Sequence, residues 1–313
     1  MERAAATVIA TRRSAPRPVG SKLLVGEDGS MEGSVSGGCV ESDVYEACRG
    51  VLRGDAPRVI TYGITDEQAL EVGLPCGGEI DVFVGAYAPG LYEQIGERRA
   101  VVYTDLESGE QRLVFEGEED ATDAVIRSAR SQVVGDGFAE FFGPPPRLLV
   151  FGAVDTGEAL CRAAKELGWR TIVADARARF ATRERMPSAD ELLVLWPDEA
   201  LAQVRPDHAT AVVVLTHDDK FDIPAITGTL ETDAFYVGAI GSRRNQERRR
   251  GVLRDAGVPE EALERLHGPA GLDLGAHTPP ETALSILAEI LAVRTGRAGG
   301  ALRESTQRIH VEV

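Results

Sequence analysis

The chain has 313 residues, 43% of them hydrophobic, which suits about two domains and excludes wholesale disorder. Fifty acidic residues against 34 basic ones leave a formal net charge of −16, a surface that repels phosphate backbones and argues against nucleic-acid binding. No run approaches the ~18 uninterrupted apolar residues of a membrane span, since Leu284 to Val293 is broken by Glu289. Met1-Glu2-Arg3-Ala4 and the short apolar run before Arg12 and Arg13 make no secretory signal, and four cysteines make no disulfide framework. A soluble, cytoplasmic protein without membrane insertion is expected.

Residues 1–85 carry short apolar runs among many glycines. Ala6 to Ala10, Lys22 to Val25 and Met31 to Val35 read as strands, with Glu27-Asp28-Gly29-Ser30 as a hairpin turn between the last two. Val40, Val44, Ala47, Val51 and Leu52 mark one face of a helix over Val40 to Leu52. Val59 to Tyr62 and Ile80 to Val84 read as two further strands, completing a small α+β unit. Beyond Gly85 the pattern weakens. Ala100 to Tyr103 and Gln111 to Phe115 read as strands and Thr122 to Ser131 as a helix, while Gly135-Asp136-Gly137 and Pro144-Pro145-Pro146 have the composition of a linker.

From there strands and helices alternate. Leu148 to Phe151, Thr171 to Ala174, Glu191 to Leu195, Ala211 to Leu215 and Phe235 to Val237 are the expected strands. Helices are expected over Gly157 to Leu167, Pro224 to Leu230, Arg244 to Ala256 and Pro280 to Val293. Apolar strands followed by amphipathic helices predict an α/β fold with a parallel sheet covered on both faces, a doubly wound, Rossmann-like arrangement.

The turn after the first of these strands, Gly152-Ala153-Val154-Asp155-Thr156-Gly157, is an altered dinucleotide loop. Gly152 and Gly157 stand where the fingerprint wants its first and third glycines, but Val154 replaces the second, whose side chain would obstruct the approach of a pyrophosphate. Asp175 ends the next strand, where an acidic residue would hold a ribose. The fold is therefore expected, while conventional NAD binding is doubtful. On the bland reading, both glycines serve only the tight turn and helix packing.

Two glycine-rich loops carry cysteines. In Ser34-Val35-Ser36-Gly37-Gly38-Cys39-Val40-Glu41 the glycines permit a curved run of amides, an anion nest, and Cys39 would sit at a helix N-terminus that favours its thiolate. Gly73-Leu74-Pro75-Cys76-Gly77-Gly78-Glu79 places a second thiol beside paired glycines. The pair suggests a site for a soft metal, a sulfur atom or an anionic ligand; the bland alternative is two small buried residues in tight turns. Cys48 and Cys161 fall inside helices and read as packing residues, and the spacing of the four matches no zinc pattern.

Taken in order, these loops resemble the XdhC/CoxI family of molybdenum-cofactor maturation proteins. The resemblance rests on Ser14-Ala15-Pro16-Arg17-Pro18, Gly33 through Glu41 and Gly73 through Gly78 in the first half. In the second half it rests on Leu215-Thr216-His217-Asp218 with Lys220-Phe221-Asp222, Tyr236 through Arg244, His267 through Ala276, Thr278-Pro279 and Glu281. It implies an XdhC/CoxI-type domain with a variable connecting region over 1–142, a Rossmann-like domain over 147–296 and a tail over 297–313. It further implies a cytoplasmic chaperone that binds molybdopterin, protects it, accepts its terminal sulfur with the help of a cysteine desulfurase, and delivers it to a xanthine dehydrogenase-like molybdenum hydroxylase. A homodimer is compatible with this reading. Many relatives carry a helix before the first strand; here the strand starts almost at once, so another part of the fold or a partner would cover that face.

Molybdopterin carries a phosphate, a dithiolene and a polar pterin, so it calls for amide nests and hydrogen-bond donors. Ser36, Gly37, Gly38, Cys39, Glu41, Cys76, Gly77 and Gly78 are expected around it, with Cys39 and Cys76 as molybdenum-proximal thiols. Arg243 and Arg244, after Gly241-Ser242, would hold a phosphate, or else belong with Arg248 to Arg250 to a solvated helix face. His217 and Asp218 close a buried-type strand at its carboxyl end; His217 would donate to a ligand or orient Asp218, and Asp273 is similarly placed. His208, His277 and His310 read as surface residues, and Trp169 and Trp196 as packing residues in preference to a stack for a pterin. An accessory protein is favoured over a turnover enzyme. The competing readings are an NAD(P)-dependent oxidoreductase using the Rossmann-like half, and a persulfide carrier acting through Cys39 or Cys76.

Overall fold

The computed structural model describes residues 2–12, 15, 17–63 and 78–305. Two compact units divide between Pro144 and Pro145, with residues 301–305 grouped with the first.

The first unit runs β1 (Arg3–Arg12), β2 (Lys22–Gly26), β3 (Met31–Gly33), α1 (Glu41–Leu52), β4 (Arg58–Tyr62) and β5 (Glu79–Ala86). It continues with α2 (Pro89–Glu93), β6 (Ala100–Asp105), β7 (Gln111–Phe115), α3 (Asp120–Ser128), β8 (Gln132–Val134) and β9 (Gly137–Phe142). These strands form two antiparallel sheets, ordered β3-β2-β1-β5-β4 and β7-β6-β9-β8. The period of two along β1 sends Ala4, Ala6 and Val8 toward Val44 and Cys48 of α1, while Ile9 meets Phe83 and Phe138 on the other face. That other face, expected to be covered by another part of the fold or by a partner, packs against the second sheet through Phe138. Its partly buried Lys22–Glu140 ion pair, at 2.5 Å, ties the two sheets together. Along β6, Val101 packs with Val125 and Ile126 of α3, and Ala100 and Val102 with Ile95.

The expected linker at Gly135-Asp136-Gly137 is instead a hairpin turn, with Val134 paired to Gly137 across β8 and β9. Glu140 in the middle of Gly137–Phe142 breaks the apolar run and disguises a strand whose acid is satisfied by distant Lys22 and by the Tyr92 hydroxyl at 3.3 Å.

The second unit runs β10 (Arg147–Phe151), α4 (Asp155–Glu166), β11 (Arg170–Ala174), β12 (Glu191–Leu193), α5 (Pro197–Val204), β13 (Thr210–Val214) and α6 (Asp219–Leu230). After these come β14 (Tyr236–Ala239), α7 (Arg243–Asp255), α8 (Glu260–Glu264), β15 (Leu266–His267) and α9 (Pro279–Thr295). Six parallel strands lie in the order β12-β11-β10-β13-β14-β15. This is the expected doubly wound fold, with the order reversing between β10 and β13. Alternation again sorts the core: Leu148 and Val150 face Leu160, Ile286 and Ile290 of α4 and α9, while Leu149 and Phe151 face Leu201, Ile226 and Leu253 on the opposite side. The helix expected from Pro224 starts five residues earlier, because Asp218 caps it by accepting from the Lys220 amide at 3.1 Å. Pro224 lies inside it. Among the described residues, no helix is long and apolar enough to cross a membrane.

Candidate functional site

The loop between β3 and α1 does form a nest. Gly37 and Gly38, at φ +78° and +120°, adopt backbone conformations that side-chain-bearing residues rarely take, and this curls the intervening amides inward. The nest is filled by the chain itself. Six donors converge on the Glu41 carboxylate: the Ser34 hydroxyl at 2.6 Å, the Val35, Ser36, Gly37 and Gly38 amides at 3.2, 2.8, 3.0 and 2.7 Å, and the Ser36 hydroxyl. Partial burial works to raise the pKa of Glu41, but the bonds from Ser34, Ser36 and Gly38 outweigh it and bring it down to about 2. The anion expected there is thus the protein's own carboxylate, and these amides are engaged.

Cys39 lies two residues before α1, ahead of the N-cap Val40, and its amide donates to the Ser36 hydroxyl at 3.0 Å. It is half-buried, whereas Cys48 and Cys161 are fully buried and burial pushes both thiols up to about 12. Cys76 and Gly77 lie outside the described residues, as do Ser14, Pro16 and His310; Gly78 is buried just ahead of β5. Tyr62, at the end of β4, donates its hydroxyl to Asp43 in the first turn of α1 at 2.6 Å, so that strand end sits on the Cys39 side of the helix. A groove of about 630 Å³ lined by Glu2, Arg3, Val51, Leu52 and Tyr87 lies instead at the far end of α1.

In the second unit the expected residues gather at the carboxyl edge of the parallel sheet. Gly152, at φ +116°, lets the turn after β10 pass against Thr216, whose Cγ2 would lie 3.0 Å from an added Cβ. A Cβ on Gly157 would come within 2.8 Å of the Gly152 carbonyl oxygen, so both glycines serve close packing. Val154 stands at the N-cap position of α4, without a side-chain capping bond, and packs against the core shared by α4 and α9. Asp175 is buried and engaged: it accepts from the Ala153 amide at 2.9 Å, and from the Arg177 amide, Nε and Nη2 at 2.9, 2.9 and 2.7 Å. Burial would raise its pKa, but these bonds prevail and hold it below the usual carboxylate range.

His217 and Asp218 are exposed between β13 and α6. Asp218 caps α6 and makes no hydrogen bond with His217 among the described residues, which corrects the expectation that His217 orients it. Beneath them lies a buried cluster that sequence reasoning missed. The Thr216 hydroxyl donates to Asp222, whose other oxygen accepts from Arg249 Nη2 at 2.7 Å; Arg249 also donates to the Ile240 carbonyl at 3.1 Å and to Gln246 Oε1 at 2.9 Å. Asp222 and Arg249 are 0% and 1% exposed. The pair stands 27 residues apart in sequence and joins the loops after β13 and β14. Arg249 therefore leaves the expected Arg248–Arg250 surface group, and Arg250 binds the Leu263 and Leu266 carbonyls.

Arg243 and Arg244 are exposed at the start of α7, where the Ser242 hydroxyl accepts from the Asn245 amide at 3.3 Å. Asp273 is exposed between β15 and α9. That loop is held by Glu289 of α9, which accepts from the Tyr236 hydroxyl at 2.5 Å and the Gly271 amide at 2.7 Å and lies 3.1 Å from His267 Nδ1. Trp169 packs at 4% exposure, but Trp196, expected in the core, is 48% exposed and stacks on Phe221. Among the described residues, no group of three or more His, Cys, Asp or Glu is placed to hold a metal ion.

Comparison with known proteins follows this two-unit plan. The model of the XdhC and CoxI family matches residues 2–63, and that of the XdhC Rossmann domain matches 148–290. The chain is 30% identical over 292 residues to the molybdenum cofactor insertion chaperone PaoD of Escherichia coli, covering 92% of this chain and 82% of that one. It is 27% identical to a Bacillus subtilis protein named as a probable xanthine dehydrogenase subunit, covering 92% of both. Against an uncharacterized Escherichia coli protein, YqeB, it is 28% identical over 95% of its own length but spans only 44% of that relative. A crystal structure of a xanthine dehydrogenase from Bacillus halodurans superposes with a TM-score of 0.67 at 25% identity, covering 98% of this chain and 94% of that one. With both family models matched in order and this identity sustained across both units, the chain belongs to the XdhC and CoxI family.

Proposed function

We propose that this protein is a molybdenum-cofactor maturation factor. It binds the cofactor as cargo, shelters it, holds it while a cysteine desulfurase supplies the sulfur ligand, and passes it to a molybdenum hydroxylase of the xanthine dehydrogenase type. The observation that carries the reading is the likeness to PaoD, named a molybdenum cofactor insertion chaperone, along nearly the whole chain. The names of the Bacillus subtilis and Bacillus halodurans proteins support the class of client.

Each unit, taken by itself, carries groups of the kind the cargo needs. Arg243 and Arg244, exposed at a helix start in a chain of net charge −16, suit the cargo's phosphate through charge-assisted bonds. His217 and Asp273 offer polar contacts along the same sheet edge. Ser36, Gly37, Gly38 and Glu41 hold the loop that presents Cys39, the most accessible of the described cysteines and hence the described thiol best suited to the molybdenum or its sulfur. Cys76, Gly77 and Gly78 complete the proposed set. The engagement of Asp175 with Arg177 and Ala153 weighs against a nicotinamide-dependent oxidoreductase, which would need that carboxylate for a ribose.

The test is anaerobic equilibrium binding of molybdopterin cofactor to the wild-type chain, to Cys39→Ala, to Cys76→Ala and to Arg243→Ala/Arg244→Ala, with NAD and NADP titrated in parallel. Cofactor binding that the double arginine variant weakens by about tenfold or more is expected from the loss of charged hydrogen bonds. No cofactor binding together with saturable NAD(P) binding would overturn the proposal.

A further inference from the structure

Trp196 is exposed in a manner that packing does not explain. It follows β12, its amide donates to Glu199 at 3.1 Å, and its ring lies on Phe221 of α6 with centroids 5.0 Å apart and planes inclined by 27°. One aromatic face is therefore covered by Phe221, yet the residue stays 48% exposed, which leaves wide apolar surface in water. Phe221 is fixed from elsewhere too: the Arg177 guanidinium lies 5.6 Å from its centroid and 4.1 Å from that of Phe180, and is locked by its bonds to Asp175. Trp196, Arg177 and Phe221 follow β12, β11 and β13, so the group stands at the carboxyl edge of the sheet, where open α/β folds take small ligands. Lys220, exposed in the first turn of α6 and next to Phe221 in sequence, makes no ion pair among the described residues, and the exposed Arg179 follows β11 at the same edge of the sheet.

We propose that Trp196 and Phe221 form a stacking shelf for a flat nitrogen heterocycle that carries a phosphate. On the maturation reading, upon which the identity of the ring rests, this is the pterin of the cargo. A held indole face offers stacking area at little cost in side-chain entropy, and it accepts any flat π-system. The ammonium of Lys220, beside Phe221 in the first turn of α6, favours an anionic substituent. A purine nucleotide shares this chemistry, and the experiment separates the two.

Trp169 and Trp196 are the only tryptophans in the chain. In a Trp169→Phe background, Trp196 alone reports by its fluorescence, corrected for pterin absorbance. The titrants are molybdopterin cofactor under anaerobic conditions, neopterin and ADP. Saturable quenching by cofactor and by neopterin is expected. In the natural background, equilibrium dialysis should show the cofactor bound about tenfold more weakly by Trp196→Leu and nearly normally by Trp196→Phe. Cofactor bound by the wild type with an affinity that Trp196→Leu leaves unchanged overturns the shelf and leaves the proposed function standing. Quenching by neopterin without any cofactor binding keeps the shelf and sinks the proposed function. Quenching by ADP alone overturns the pterin assignment, and no quenching by any of the three overturns the shelf.

Discussion

Replacing Glu41 by Gln keeps the shape of the side chain and removes the charge on which six donors converge. The fall of its pKa from an ordinary 4.5 to about 2 corresponds to an upper bound of ~3 kcal/mol. Glu41 is only partly buried, and solvent screening reduces this to about 1–2 kcal/mol. The glutamine amide would also set two new donors against donors already present. Because the folded-state pKa lies below the ordinary one, the stabilisation is fully present above about pH 4.5 and is lost as pH falls toward about 2. Hydrogen exchange read by mass spectrometry on the peptide spanning Ser34 to Glu41, normalised to intrinsic rates, should therefore rise by about 5- to 30-fold in Glu41→Gln at pH 7. At pH 3 the difference should shrink to less than half in free-energy terms. Exchange that is unchanged at pH 7, or raised equally at both pH values, would refute the view that this carboxylate holds the loop closed.

Asp222→Ala should lower the stability of the second unit by about 3–5 kcal/mol, because it strands the buried Arg249 charge; Asp222→Leu/Arg249→Met should recover most of it, read by urea unfolding followed through tryptophan fluorescence. A double variant no better than the single one would contradict this. Iodoacetamide at pH 8 should modify Cys39 in the native protein and Cys48 and Cys161 only after unfolding, as peptide mapping would reveal. Gly152→Ala should cost about 1–3 kcal/mol, since it forces a side chain into a left-handed backbone 3.0 Å from the Thr216 methyl. A thermal melt within a degree of wild type would count against the close contact.

The second unit is the more legible in sequence, for a physical reason. Leu148 to Phe151 and Ala211 to Val214 lie in strands buried on both faces, so their apolar runs are nearly continuous. Leu266–His267 has only two residues and no periodicity to read, and α8 and α2 have five each. Glu140 hides β9 because its partner Lys22 lies 118 residues away. The loops of the site can be found from their glycines and cysteines, but the contents of the nest cannot. Glu41 reads equally well as a ligand contact or as an internal anion until its distances to the amides are known. Trp196 departs from expectation because composition favours burial of an indole, and only its place between β12 and α5 leaves it exposed.

The Asp222–Arg249 pair bears on how this protein can be altered. Two segments that bear proposed cargo contacts, the loop with His217 and the loop-to-α7 junction with Arg243 and Arg244, share one buried ionic anchor. Residues joined through such an anchor do not vary independently: a change near the start of α6 alters the free-energy effect of a change near the start of α7. Single-site libraries in either segment would therefore undercount the tolerated sequences. Attempts to retune this edge for a different ligand should vary both segments together, with the anchor kept or replaced as a unit.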